Sequence, residues 1–170
     1  MNAISALFTL SALLTSLSAT AAGDLHFGGR SAPVTCTLAN ENTTVQLPSI
    51  NTSELNTAGT VAGATPFQIA LTCDDTGGYV IYTAFDITSD VDSATGNLII
   101  ATGTQAATNV QVQILNEDRT AVNLADGGQT TQDADLGYSI SWTYYAQYYA
   151  TGQATSGSVS AYVTFTIEMM

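Results

Sequence analysis

The stretch that most restricts the fold is "GSVSAYVTFTIEMM", Gly157 to Met170. Val159, Ala161, Val163, Phe165, Ile167 and Met169 are apolar and alternate with Ser160, Tyr162, Thr164, Thr166 and Glu168. A period of two puts alternate side chains on opposite faces of an extended backbone, so this is a β-strand with one buried face. Residues at the end of a chain usually fray for lack of packing partners. A half-buried strand here needs something to cover it.

The same period recurs upstream. "TTVQLPSI" alternates around Val45 and Leu47, "TPFQIALTC" around Phe67, Ile69 and Leu71, and "TNVQVQIL" around Val110, Val112 and Ile114. "GYVIYTAFDI" follows the turn signal "DDTGG", and "NLIIAT", "AVNLA" and "YSISWTYYAQYYA" are further strand candidates. "INTSELNTAGTVAGAT" and "LADGGQTTQDADLG" are polar, glycine-containing connections. Beyond the first residues no stretch holds a 3.6-residue period. Short strands between turns in 170 residues predict one all-β domain, an immunoglobulin-like sandwich.

The first residues are of another kind. "AISALFTLSALLTSL" is an apolar run too short and too rich in Ser and Thr for a membrane span, and "SATAAG" offers small residues for cleavage after Ala21 or Ala22. Residues 1–21 are thus expected to be an export signal, although no Lys or Arg precedes the apolar run. Cys36 and Cys73 agree with export, since an even pair in an exported chain is most simply one disulfide. Metal or redox chemistry is the competing reading, with no CxxC and a single histidine to support it.

Charge and residue types exclude several functions. Fourteen carboxylates against Arg30 and Arg119 give a net charge of -12, which is incompatible with the phosphate contacts of nucleic-acid binding. His26 is the only histidine, so a nucleophilic triad would have to be built on one residue near the start of the exported chain, and no enzyme is expected. The acidic stretch "DITSDVDSATGN", with Asp86, Asp90 and Asp92, lacks the order of a calcium loop and reads as a solvated turn. No cofactor or metal is expected. Asn42 and Asn51 sit in glycosylation sequons, which arise often by chance in a Thr-rich chain. In "WTYYAQYYA" the alternation puts Trp142, Tyr144, Ala146 and Tyr148 on one face, as core, and Tyr145 and Tyr149 on the other, where they suggest a sugar platform.

An ordered set of stretches carries a resemblance. "DLHFGGR" before the first Cys, "VQLPSINTSEL" after it, "TPFQIALTC" at the second, then "ATNVQVQIL", "AQYYATG" and "GSVSAYVTFTIEMM" make the chain similar to the type 1 fimbrial (chaperone-usher) pilins of Gram-negative bacteria, and it resembles the major, rod-forming subunit. The resemblance implies a sandwich lacking its seventh, C-terminal strand, so that the last strand borders an open groove. It implies that a periplasmic chaperone fills the groove first. The N-terminal extension of the next subunit then replaces it at the outer-membrane usher, by strand addition to an exposed edge. The result would be a fibre on the cell surface that supports adhesion and contains other copies of the chain and other pilins, including a tip adhesin.

Residues 22–30 would be that donor extension and residues 31–170 the pilin domain. In "AGDLHFGGR", Gly23, Leu25, Phe27 and Gly29 share one face, and the resemblance sends that face into the neighbour's groove. The acceptor side would be Gly157, Val159, Ala161, Val163, Phe165, Ile167 and Met169. Gly157 stands fourteenth from the end as the family pattern requires, whereas Met169 replaces a penultimate Tyr. Two alternatives accompany this reading: a minor adaptor pilin of the same fibre, and a monomeric exported sandwich that binds carbohydrate through its Tyr-rich strand.

Overall fold

In the computed structural model the described residues are 36–39, 43–74, 78–86, 90–128, 130–135 and 139–169, all within the unit Pro33–Met170. The proposed signal and donor residues, 1–30, lie outside them. Among the described residues eight strands form: β1 (Cys36–Leu38), β2 (Val61–Cys73), β3 (Gly78–Phe85), β4 (Leu98–Ile99), β5 (Val110–Leu115), β6 (Thr130–Asp135), β7 (Ser139–Ala150) and β8 (Phe165–Met169). Five make one sheet in the order β1-β2-β7-β5-β4, and three make the other in the order β6-β3-β8. Every pairing between these strands is antiparallel.

The alternation seen in sequence sets which face is buried. Ile69 lies opposite Trp142 and Phe67 opposite Tyr144 across β2 and β7, and Val112 and Ile114 continue that face on β5. Trp142 and Tyr144 are each only 2% exposed. The two sheets meet at an aromatic ring pair, Phe85 of β3 standing edge-on to Tyr144 of β7 at 5.4 Å, and Phe67 on the neighbouring strand β2 stacks on Tyr144 at 5.6 Å. Offset and edge-on pairs of this kind add to the gain from burying the ring area. Cys36 and Cys73 are register partners on β1 and β2 and are joined as a disulfide.

Four sequence expectations need correction. "TTVQLPSI" is extended with half-buried Val45, Leu47 and Ile50, yet residues 43–50 enter no ladder. The closing strand is ladder-paired only from Phe165, although its alternating burial begins at Ser158. "AVNLA" gives one isolated bridge at Ala121 and then a 3-10 turn, Leu124–Asp126. The two polar connections also hold regular structure. One contains the 3-10 helix Thr52–Leu55 and the start of β2, and the other contains β6. β6, "TTQDAD", is an edge strand, and polar or charged residues are common on edges because they resist further pairing.

Candidate strand-accepting groove

The corrected segments 43–50 and 157–163 flank one long groove. Its centre is a cavity of about 430 Å³ bordered by Val45 and Leu47 on one side, Val159, Ala161 and Val163 on the other, and Phe67, Leu98, Val112, Ile114, Ala146 and Tyr148 on the floor. A second cavity of about 260 Å³ continues past Ile50, Leu55, Ala154 and Gly157. At the opposite end a third, also about 260 Å³, lies among Cys36, Leu38, Leu71, Phe165 and Ile167. Cys36 is therefore near Ile167 and Ile50 near Gly157, so the two walls run antiparallel.

Among the described residues, the backbone of segments 43–47 and 159–163 makes no hydrogen bond into the groove. Ser158 exchanges hydrogen bonds with Gln105 and Ala107, Ser160 O accepts from Ala101 N at 2.7 Å, and Thr164 O accepts from Asp86 N at 2.9 Å. These are the residues whose side chains face out. In an extended chain the peptide groups of the residues between them point the other way. The N–H and C=O of Val159, Ala161 and Val163 thus face the groove, where no described backbone group bonds them, and no described backbone group bonds residues 43–47 either. An apolar trough with free peptide groups on both rims is the complement of an extended peptide, which fills both needs at once.

Each residue singled out in sequence has a definite place here. Val159, Ala161, Val163, Phe165 and Ile167 are half-buried and packed on the core. Met169 is placed by its backbone, opposite Ile81. Gly157 sits where the backbone of the 106–107 stretch crosses it: a Cβ there would come 2.6 Å from Ala106 C and 2.7 Å from Ala107 Cα, closer than carbon atoms can approach. The 3-10 helix builds this end. Asn51 caps it by accepting from Ser53 N at 3.0 Å, Glu54 Oε1 accepts in return from Asn51 N at 3.1 Å, and Leu55 O accepts from Ala154 N at 2.9 Å.

The other candidates lie elsewhere. One Asp92 carboxylate oxygen accepts from Ala94 N at 2.8 Å and the other from Gln111 Nε2 at 2.6 Å, so this acid stabilises its own turn. Both bonds hold its pKa below the ordinary aspartate value, the Ala94 bond most strongly. Arg119 stacks on Tyr145 with its guanidinium carbon 3.4 Å from the ring centroid, which takes that ring face away from a sugar. Sequence reasoning took Tyr148 for simple core. Instead it is half-buried at the groove floor, where its hydroxyl donates to Pro48 O at 3.2 Å, a contact across 100 residues that no local pattern announces.

Fold and groove together define a β-sandwich protein with an unfilled strand position. The chain belongs to the fimbrial protein family, whose model matches residues 25–169. It is 39% identical over 162 residues to the major fimbrial subunit SMF-1 of Stenotrophomonas maltophilia, covering 89% of this chain and 95% of that one. It is 36% identical to the F17 fimbrial protein of Escherichia coli, covering 85% and 86%. Among solved structures, a chaperone-usher pilus subunit from a study of rod uncoiling superposes with a TM-score of 0.64 at 18% identity, covering 87% of this chain and 95% of that one. The P pilus rod subunit PapA gives 0.61 at 16%, covering 79% and 99%. At these identities the likeness concerns the fold.

Proposed function

We infer that the chain is a structural subunit of a chaperone-usher fimbria, exported and assembled on the cell surface, and that it polymerises by strand donation. The observation that carries this is the groove, apolar on its floor and unpaired along both rims. Its occupant in the fibre is the stretch 22–30 of another copy, with Gly23, Leu25, Phe27 and Gly29 turned inward. Burying Leu25 and Phe27 contributes about 1.5–3 kcal/mol each, before the rim hydrogen bonds form. Before assembly a periplasmic chaperone strand occupies the same place, and an outer-membrane usher hosts the exchange. Other pilins, a tip adhesin among them, share the fibre.

The test is electron microscopy of cells that express the chain with a cognate chaperone and usher. The unaltered chain should give fibres. Deletion of residues 22–30, or Phe27→Asp, should abolish them while the subunit still binds the chaperone. Fibres of normal length from either variant would refute strand donation.

A further inference from the structure

Among the described residues Arg119 is the only side chain with a positive charge, in a chain of fourteen carboxylates with no lysine. It sits in the turn after β5, which Leu115 and Ala121 bridge. Asn116 N donates to Thr120 O at 2.9 Å, and Arg119 N to Asn116 O at 3.0 Å. At Arg119 the backbone is left-handed, with φ at +70°, a conformation that hairpin turns usually give to glycine. Arginine holds that position at a cost in backbone strain, and such strain collects at functional positions.

The guanidinium carbon stands 3.4 Å from the centroid of the Tyr145 ring, so one flat face rests on the ring while the N–H groups around its rim stay open. No described residue forms an ion pair with it. The adjacent acid is occupied, since Asp118 Oδ1 accepts from Thr120 N at 2.9 Å and from Thr120 Oγ1 at 2.6 Å. Those bonds, the hydroxyl one first, hold the Asp118 pKa below the ordinary aspartate value. Arg119 is exposed, and Tyr145 alternates with Ala146 of the groove floor, so the pair looks out from the sheet face turned away from the groove.

We propose that Arg119, laid on the Tyr145 ring, is a docking point for a carboxylate on the surface of a second copy, a contact between subunits that is separate from the groove. Charge decides the partner. Each copy has a net charge of -12, so two surfaces repel wherever neither carries a cation, and the exposed guanidinium is the described point at which approach becomes attractive. One exposed ion pair holds free molecules together poorly. In a fibre the copies are already linked, so their effective concentration is high and every copy repeats the pair. The contact thus rests on the strand-donation reading above.

The experiment applies phenylglyoxal, which modifies exposed guanidinium groups, to fibres of the unaltered chain and to the chain held by its chaperone, and mass spectrometry reads the Arg119 peptide. Arg119 should react about fivefold more slowly in fibres, the scale of one exposed ion pair. Because the chain has no lysine, Arg119→Lys supplies one side-chain amine for carbodiimide, which joins an amine to a carboxylate in contact with it. In fibres assembled from light and isotopically heavy chains, the introduced amine should be linked to a carboxylate of a chain with the other label. Should Arg119→Lys not fold, the phenylglyoxal comparison on the unaltered chain decides by itself. Equal reaction of Arg119 in fibres and in the chaperone complex, or an introduced amine that links only within its own chain or to a different protein, overturns the contact alone. No fibres from the unaltered chain overturn strand donation, and the contact with it.

Discussion

At the scale of single residues, what matters is which groups have their needs met within the subunit. Asp92 does, through Ala94 N and the Gln111 side chain. These bonds favour the carboxylate, so its pKa is lower in the folded chain than in the unfolded one, where an aspartate titrates near about 3.9. Its stabilising contribution is complete above that value and is lost as the pH falls through the folded value. Asp92→Asn keeps an acceptor oxygen for Ala94 N and removes the titration. Denaturation followed from pH 6 down to about pH 3 should show a shallower acid loss in the variant than in the unaltered chain. The inward face of the last strand was legible in sequence because alternation is a local property. The placing of Gly157 against Ala106 and Ala107, and of Tyr148 against Pro48, was not, because each depends on chain brought from far away.

At the scale of elements, segments 43–50 and 157–163 are strands by conformation without being strands by pairing. Their alternation was real, and it led to an expected ladder for 43–50 that is absent because no described strand lies beside that segment. β6 was missed for the opposite reason: "TTQDAD" has no apolar face, and only its pairing with β3 makes it a strand. A backbone amide without an internal acceptor exchanges freely with solvent. The amides of Val45, Leu47, Val159, Ala161 and Val163 should therefore exchange rapidly in a subunit whose groove is empty, and slow by orders of magnitude once a donor strand is in place. The amides of Ser158 and Ala107, already bonded to Gln105 O and Ser158 O, should differ much less. Hydrogen exchange read by NMR separates the two sets, and equal behaviour would mean that the rims of the groove are not where a strand pairs.

For the whole molecule, an all-β sandwich with an unfilled strand position must remain folded while part of its core is open. The Cys36–Cys73 disulfide contributes by restricting the unfolded chain, closing a loop with a sequence separation of 37. Chain entropy assigns such a loop about 4 kcal/mol, and engineered losses often fall below that figure. Replacing both cysteines by serine should lower unfolding stability by about 2–4 kcal/mol in urea titrations, with the groove end at Cys36, Leu38 and Ile167 the first region to loosen. This pairing was legible from two cysteines in strand-like stretches of an exported chain, whereas the width of the groove was not legible from either of its walls alone. The separation of groove and donor also has a consequence in the arithmetic of polymers. On the strand-donation reading a subunit with a groove and an extension is a monomer with two unlike ends, so one that keeps the extension and loses the groove joins a fibre once and stops it. Mean fibre length then falls as the reciprocal of the fraction of such stoppers, and a mutation that closes the groove acts as a dominant one, felt even by cells that still make the normal subunit.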